Sequence, residues 1–470
     1  MVILDSAIVI VALPSIESDL GFAAADLQWI LSAYALTFGG LLLLGGRAAD
    51  LIGRRRVFMI GLGSFTVASL LCALAWSPGA LIAARAIQSV GAAVMTPTAL
   101  SIVMTTFEEG AERNKALGIW GSLGGIGGTV GWLIGGALTD VGWEWIFLIN
   151  LPVGAISLFL APRLLRESRA EERRSGYDPL GALSVTAALV LAVYAVVDAP
   201  DVGWGNARTI ALFAGSAALF ALFATIESRV VSPLLPLRVL RSRTLVGANL
   251  GMFLFSAIAF GAPFVLTLYV QQVLGYSPVE FGLTSIVFPL AAAIAAITGQ
   301  GLVLKLGFRP LAASGLLLLG LGCLYLAQVS VGESYFGDVF LGLLICGAGV
   351  GLTFVTCSIA ALAGVDEREA GLASGLSNTT FQIGGAVGTA IVSTVVVSRA
   401  DEVASGQIPG LEALTEGFQA GFLACIVFAA LGLLAVLALL GRRAGKEPAP
   451  DEALAEPPPD PAALITPSAE

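Results

Sequence analysis

The sequence predicts an all-α polytopic membrane protein. Three observations support this prediction: a shortage of charged residues, a series of apolar segments of membrane-spanning length, and a one-sided distribution of Lys and Arg. Hydrophobic residues make up 57% of the 470 residues and charged residues 12%, whereas a soluble domain has roughly 25% charged residues. With so few charges the chain cannot cover a globular surface, so lipid must surround most of it.

Fourteen apolar segments approach the length of about 20 residues that a helix needs to cross the hydrocarbon. The first falls short of a full span, and we expect a truncated helix there. The segments are 1–16, 27–46, 57–76, 80–105, 115–138, 145–164, 179–198, 208–227, 244–272, 280–303, 310–329, 337–362, 372–397 and 418–440.

Lys and Arg residues fall almost entirely on one side of the predicted membrane. If the amino terminus is placed in the cytoplasm and the spans alternate, 21 of the 24 Lys and Arg residues lie in inner loops, as the positive-inside rule requires. The outer side keeps Arg208 and Arg399, and Arg85 lies within a span. An odd number of spans would spoil this separation. We therefore expect a multi-pass protein of the cell (inner or plasma) membrane with both termini cytoplasmic.

The chain is organised in repeated blocks. GGRAADLIGRRR, after the second segment, has a weaker counterpart in QGLVLKLGFRP, after the tenth. Two six-helix halves with a site between them are typical of transporters. The predicted units are an amino-terminal six-helix bundle, a cytoplasmic loop with two inserted helices, a carboxy-terminal six-helix bundle and a disordered cytoplasmic tail, at 1–165, 166–243, 244–441 and 442–470.

Composition excludes several classes of function. The formal net charge of −9 and the lack of a basic domain argue against nucleic-acid binding. The sequence has no histidine, which removes the commonest general base and metal ligand, and it has no GxxxxGK(S/T) phosphate loop for ATP. The five cysteines lie in apolar runs and are interpreted as reduced core residues. We expect no cofactor and no metal; the expected partners are a small-molecule substrate, protons and the lipid bilayer.

Two charged residues lie inside predicted spans, more than two residues from either end. Asp5 is in LDSAIVIVALP and Arg85 is in LIAARAIQSVG, with Gln88 three residues later on the same helical face. A charged side chain at the bilayer centre costs about 3 kcal/mol or more, so Asp5 needs water, a partner or a proton, and Arg85 needs an acid or carbonyls. The alternatives are an Asp5 that is terminal and solvated, and an Arg85 that snorkels to the interface.

Two further segments contain glycines at notable spacings. In GGRAADLIGRRR, Asp50 lies among arginines at a helix junction and can act as a conformational latch; plain positive-inside anchoring explains the arginines but not the Asp–Gly spacing. In the fifth span, GIWGSLGGIGGTVGWLIGG, small residues at four-residue spacing let helices pack closely; packing without a part in coupling is an equal alternative. The glycines concerned are Gly46, Gly53, Gly118, Gly127, Gly131, Gly135 and Gly136.

Together these four stretches resemble the major facilitator superfamily, specifically its fourteen-span drug:proton antiporter branch, over nearly the whole chain. Three positions depart from the family pattern: Trp132 stands where proline normally follows the third antiporter-motif glycine, Ser89 replaces a glycine, and Leu304 stands where the second loop motif has an acid. The matching positions are Asp5 and Pro14; Gly46, Asp50, Gly53 and Arg54; Arg85, Gln88 and Gly91; and Gly118, Gly127, Gly131, Gly135 and Gly136.

The resemblance implies a proton-coupled secondary transporter, not an enzyme, that exports hydrophobic or cationic small molecules by alternating access. It implies that Asp5 is the protonatable or substrate-sensing acid, that Arg85 with Gln88 tunes a proton-linked acid, and that Asp50 with Arg54 forms the latch.

Polar and aromatic residues within spans are candidates for the substrate cavity, which should lie near the midplane between the halves. A membrane Asn or Gln is as often helix-packing glue as a ligand contact. The tenth span has Glu280 at its outer edge and no deeper acid, so we expect monocationic, neutral or amphiphilic cargo rather than dications. The candidates are Tyr34, Asn249, Phe264, Gln271, Asn378 and Gln382.

Three other functions are compatible with parts of this pattern. A dedicated exporter of one endogenous metabolite or antibiotic would have the same fold. An uptake symporter is disfavoured by the antiporter-motif glycines, although Trp132 weakens that argument. A membrane-embedded enzyme or receptor is disfavoured because no histidine exists and the acids within the spans do not cluster.

Overall fold

A computed structural model of the chain describes residues 1–107, 111–168, 178–230, 242–332, 335–363, 367–405 and 410–440. Every regular element in these residues is helical. The α-helices are α1 (Val2–Leu20), α2 (Trp29–Ile52), α3 (Arg54–Ala73), α4 (Pro78–Thr106), α5 (Ala111–Val141), α6 (Trp145–Leu148), α7 (Asn150–Leu164), α8 (Pro179–Val202), α9 (Ala207–Arg229), α10 (Arg243–Leu268), α11 (Pro278–Thr284), α12 (Val287–Leu306), α13 (Phe308–Leu326), α14 (Tyr335–Asp338), α15 (Phe340–Leu362), α16 (Glu367–Ser405) and α17 (Gly410–Leu439). A π-helical turn, Tyr269–Val273, extends α10.

The helices coincide with the predicted apolar segments, and they confirm an all-α polytopic membrane protein. Eleven helical segments in the described residues are long and apolar enough to cross a membrane, and Trp29–Leu42 is a shorter apolar helix. The predicted sixth and tenth segments are each broken into a short helix and a longer one, α6 with α7 and α11 with α12. The count of fourteen spans stays a prediction, and the predicted tail, 442–470, lies outside the described residues.

The helices pack in two groups, and the groups contact each other at a junction. In the first half, α3 and α2 pack on α4, α1 packs on α5, and α7 packs on α3. In the second half, α10 packs on α16 and α17, and α15 packs on α12 and α13. The inserted α8 packs on its partner α9 and also contacts both α2 and α16, so it lies along the junction of the halves.

The two ends of the bundle differ in their charged residues. At one end, here called the basic end, α3 begins with Arg54–Arg56, and Arg163 lies in the last turn of α7. At the opposite end, here called the far end, Trp143 donates a hydrogen bond of 2.8 Å from Nε1 to Asp19 Oδ2. The halves approach each other through α2 with α16 and through α5 with α11; α11 lies at the far end.

Close helix crossings depend on glycines. A Cβ added at Gly91 of α4 would lie 2.5 Å from the backbone nitrogen of Phe65 and 2.7 Å from the carbonyl oxygen of Gly61, both in α3. No real Cβ tolerates such contact with backbone, so the two helices can touch only because this side chain is absent. Gly63, two residues from Gly61, faces open space.

We expect Gly91→Ala to lower the free energy of unfolding by about 1–3 kcal/mol, the usual cost of overpacking a close contact. Thermal unfolding of purified protein in detergent measures this. The matched control is Gly63→Ala, which adds the same methyl group to α3 with nothing within 4 Å and should be neutral or slightly stabilising. Equal unfolding temperatures for the two variants would contradict the assignment of Gly91 to a backbone crossing.

Candidate functional site: a buried carboxylate network

Asp5 of α1 is fully buried inside the first half. Its carboxylate accepts three hydrogen bonds: Oδ2 from Arg85 Nη1 at 2.6 Å, and Oδ1 from Gln88 Nε2 and from Asn150 Nδ2, both at 2.9 Å. The helix continues through Pro14 to Leu20, so Asp5 has a regular helical context. The alternative of a solvated terminal carboxylate does not hold, because none of the Asp5 side chain is exposed.

Arg85 reaches this carboxylate from α4. Its Nη1 also donates to Gln88 Oε1 at 2.5 Å, and its Nε donates to the carbonyl oxygen of Ile30 at 3.3 Å. The guanidinium carbon lies 4.2 Å from the centroid of the Tyr34 ring and 5.7 Å from that of Phe147. Only 1% of the Arg85 side chain is exposed, so snorkelling to the interface is ruled out. Hydrogen bonds, an ion pair and two aromatic faces satisfy the buried cation.

Gln88 and Asn150 join further helices to Asp5. Gln88 Nε2 is also 2.9 Å from Ser69 Oγ of α3, and Asn150 is the first residue of α7. We refer to Asp5, Arg85, Gln88, Asn150 and Ser69 as the carboxylate network. It connects α1, α3, α4 and α7, and each of its side chains is at most 1% exposed.

The carboxylate network has more hydrogen-bond and charge partners for a charged Asp5 than for a neutral one. Ionised Asp5 is stabilised by three donors and one full positive charge in a dry environment, where such interactions are strong. Protonation would leave Arg85 without its counter-charge and remove acceptor capacity that Gln88 and Asn150 use. An arrangement that is fully satisfied in one protonation state and unsatisfied in the other can bias the packing of four helices.

The fifth-span glycines hold α1 against α5. A Cβ at Gly131 would lie 2.7 Å from Ala7 Cβ, and one at Gly135 would lie 3.2 Å from Ile8 Cα. Gly127 faces Ile3 at a looser 3.8 Å. The four-residue spacing thus forms a groove for the helix that carries Asp5.

Gly136 and Trp132 face the other half instead. A Cβ at Gly136 would lie 2.5 Å from the carbonyl oxygen of Pro278 in α11. The Trp132 indole is buried, with its ring centroid 5.4 Å from that of Phe281 and 5.8 Å from that of Phe288. Where the family pattern has proline, this chain therefore has an aromatic contact between the halves. The surroundings of Gly118 lie outside what the structure describes.

The predicted latch segment makes contacts at the basic end. Gly53 joins α2 to α3 with φ 119°, a value that favours glycine. The Arg54 backbone nitrogen donates to the carbonyl oxygen of Ser168 at 2.9 Å, and the Arg55 backbone nitrogen donates to Glu167 Oε1 at 3.1 Å. Arg56 adds an ion pair of 3.7 Å to Glu167. These contacts join the start of α3 to the segment that follows α7, and the side chain of Asp50 lies outside the described residues.

The closest approach of α2 to α4 in this segment lies at Gly45, next to Gly46. A Cβ at Gly45 would lie 2.3 Å from the carbonyl oxygen of Ala93, whereas one at Gly46 would meet Pro97 at an ordinary 3.5 Å. Both glycines therefore face α4, and the tight backbone contact lies at Gly45.

The six candidate cavity residues lie in different environments. Tyr34 covers Arg85, and Phe264 is 1% exposed within the hydrophobic core. Asn249 Nδ2 donates to Leu245 O within its own helix at 2.9 Å. Gln271 and Gln382 lie at the junction of the halves: Gln271 Nε2 donates to Val11 O at 2.9 Å, and Gln382 packs on Gly39. Asn378 lines a cavity in the second half.

Sequence reasoning missed Asn150 and Glu167. Asn150 is a lone amide in the apolar sixth segment. Its partner, Asp5, lies 145 residues away in the sequence. Glu167 belongs to a charged stretch, RESRAEERR, in which nothing distinguishes it from its acidic neighbours. Glu280, in contrast, forms a capping box with Ser277 at the start of α11, which accounts for its position at the edge of the tenth segment.

The chain matches one family model and is similar in sequence to known export and resistance proteins. Residues 1–389 match the family model of the Major Facilitator Superfamily. The chain is 39% identical over 402 residues to the cephamycin export protein of Amycolatopsis lactamdurans, covering 85% of this chain and 83% of that protein. It is 36% identical over 444 residues to the puromycin resistance protein of Streptomyces alboniger, covering 94% and 88%.

A third relative is similar to this chain in sequence, and two solved transporters are similar to it in fold. The multidrug resistance protein Stp of Mycobacterium tuberculosis strain H37Rv is 35% identical over 399 residues, covering 85% of this chain and 74% of that protein. A bacterial homologue of the human lysosomal transporter Spinster superposes with a TM-score of 0.64 at 19% identity, covering 95% of this chain and 96% of that chain. A mutant of the nucleoside transporter NupG superposes with a TM-score of 0.62 at 14% identity, covering 93% and 96%. The structural likeness concerns the fold.

Charge compensation in the carboxylate network predicts a double-mutant result. Asp5→Asn leaves Arg85 buried without a counter-charge, and Arg85→Gln leaves Asp5 in the same condition; each should lower the thermal unfolding midpoint. The double variant has neither charge and should recover part of the loss, with a coupling of about 1–3 kcal/mol. Additive losses in the double variant would show that the two side chains do not stabilise each other.

Proposed function

The chain belongs to the Major Facilitator Superfamily, and from that premise we propose that it exports hydrophobic or cationic small molecules in exchange for protons. The exporting direction is supported by the cephamycin export protein and by the resistance proteins to which it is similar. We propose a transporter without enzymatic activity, in the plasma membrane, with the basic end and both termini cytoplasmic.

The observation that carries proton coupling is the buried ion pair of Asp5 and Arg85, 2.6 Å apart. In the proposed cycle a proton from the outer side neutralises Asp5 and releases Arg85 from its counter-charge. The four helices of the carboxylate network then repack, and loss of the proton to the cytoplasm restores the pair. The fully hydrogen-bonded arrangement described above supports assignment of this conformation to the deprotonated state.

The contacts between the halves support an alternating-access cycle in which this conformation faces the basic end. Gln272 Nε2 donates to Glu17 Oε2 at 2.8 Å, and Gln271 donates to the α1 backbone. Both glutamines belong to the π-helical turn at the far end of α10, and the α5–α11 contact lies at the same end. Opening of the far end would have to break all of these contacts. The two glutamine contacts involve α1, the helix that carries Asp5.

The energy of one proton sets the scale of the export. A proton that enters down 100 mV supplies about 2.3 kcal/mol, which supports a gradient of roughly fiftyfold for a neutral compound.

A dedicated exporter of one antibiotic is the second candidate, since two of the relatives are named for a single compound, cephamycin and puromycin. Transport across a chemically broad panel separates the two: a multidrug exporter moves many members and a dedicated exporter moves one. An uptake symporter would move its substrate in the opposite direction in energised everted vesicles.

Drug-dependent proton flux in everted vesicles tests the proposal. We expect Asp5→Asn and Arg85→Ala to abolish the flux while the protein remains in the membrane, because each removes one half of the ion pair. Asp401→Asn, at an exposed acid of α16, is the matched control and should leave the flux unchanged. Wild-type flux in both network variants would remove Asp5 and Arg85 from the coupling mechanism.

The proposed orientation can be tested by labelling with a membrane-impermeant maleimide. The native cysteines at positions 72, 323, 346, 357 and 425 are all buried, so the background should be low. Ala24→Cys, between α1 and α2 at the far end, should react in intact cells, and Arg166→Cys, after α7 at the basic end, should react only in everted vesicles. Reaction of both from the same side would refute the topology.

A further inference from the structure

An aromatic pocket lies in the second half, away from the carboxylate network. It is a cavity of ≈ 60 Å³ between α10, α15 and α16, several times the roughly 10–15 Å³ that one water molecule needs. Phe354, Phe381 and Met252 form its apolar wall. The Phe354 side chain is 42% exposed and is in ring contact with two other phenylalanines.

The rings are held in place by a cluster that reaches the core. Phe381 lies at its centre, with ring centroids 5.7 Å from Phe354, 5.4 Å from Phe260 and 5.9 Å from Phe255. Phe255 is 1% exposed and anchors the cluster. Edge-to-face and offset contacts of this kind fix ring orientation, so the exposed face of Phe354 is preorganised rather than mobile, and a guest ring would meet little ordering cost.

The opposite wall is polar and uncharged. Asn378 Nδ2 donates to the carbonyl oxygen of Ser374 at 3.0 Å, and Ser377 Oγ donates to the carbonyl oxygen of Ala373 at 3.0 Å. One Asn378 N–H and the Ser377 hydroxyl proton are engaged by the α16 backbone, so the second Asn378 N–H, the Asn378 carbonyl oxygen and the Ser377 hydroxyl oxygen are left to meet a guest. None of the described residues that line the cavity carries a charge.

We propose that the aromatic pocket binds one uncharged aromatic ring of the exported compound, with a hydroxyl or amine on the ring edge directed at Asn378. This inference rests on the proposed export function and names the class of cargo. It makes the pocket a selector for ring-bearing compounds over aliphatic compounds of the same charge. The polarizable Met252 thioether adds a further contact suited to an aromatic edge.

Two monocations that differ by one ring provide the test: benzyltributylammonium and tetrabutylammonium. Binding to purified wild-type protein in nanodiscs, measured by calorimetry, should favour the benzyl probe by about three- to tenfold, the range for one aromatic contact. Phe354→Leu and Phe381→Leu keep an apolar wall but lose the ring face, so the preference should disappear while tetrabutylammonium binding is unchanged. Phe381→Tyr should keep it.

The matched control is Phe340→Leu, the same substitution at an exposed phenylalanine near the far end of α15, which should keep the preference. Lack of ring preference in wild type overturns the proposal, and this holds whether or not a leucine variant folds. Equal losses for both probes in Phe354→Leu also overturn it, since the pocket would then sense charge or general packing rather than a ring.

Vesicle transport of the same probes separates this inference from the proposed function. Ring preference in binding, with no transport under an imposed pH gradient, would reject proton-driven export and leave the pocket intact. Normal gradient-driven export with both probes treated alike by wild type and variants would reject the pocket and leave the export function intact.

Discussion

An ionised carboxylate inside an apolar helix bundle must be neutralised, and that requirement organises the first half of this protein. Asp5 meets it with the Arg85 guanidinium and two amides, Gln88 and Asn150. Because these partners come from other helices, α4 and α7, the ion pair is also a packing constraint on all of them. Breaking one side of a buried pair costs far more than the intact pair contributes, so loss of either charge is expected to disturb the packing of these helices.

Glycines of α5 allow this helix to pack closely against both halves. Gly131 and Gly135 bring α5 against α1 beside Asp5, and one residue further, Gly136 brings the same helix against α11 of the second half. Helix α5 therefore contacts the Asp5 helix on one face and the opposite half on another. A single helix thus connects α1 to the junction of the halves, where Trp132 packs against the phenylalanines of the second half.

The two halves differ in chemistry. The first half contains the buried ion pair, while the second half presents phenylalanine rings, a thioether and uncharged acceptors around its cavity. Under the proposed function, this division would separate energy coupling from cargo contact, because a lipophilic compound that binds to the rings would not compete for the Asp5 carboxylate. Gln271 and Gln272 connect the second half directly to α1, the helix that carries Asp5.

Several features could be predicted from individual residues and others could not. Asp5 and Arg85 were identifiable because a charge within an apolar span is costly to bury without a partner. The fifth-span glycines were identifiable because their spacing repeats the helical period. Asn150 and Glu167 were not, since a lone amide and one acid in a charged loop look ordinary until their partners are known. Phe264 and Phe354 belong to similar apolar runs, yet one is in the core and the other faces a cavity; helix rotation decides this, and phenylalanine alone does not report it.

The sequence by itself determined that this chain is a bundle of membrane-spanning helices and which side chains are too polar to face lipid, because the hydrophobic effect and the cost of burying charge are local properties of each segment. Only the tertiary structure decided which polar groups satisfy one another, that α4 comes closer to Gly45 than to Gly46, and where aromatic rings converge. Those outcomes depend on the rotation and crossing of helices that are distant in the chain, and helix rotation is set by packing between surfaces rather than by any one segment.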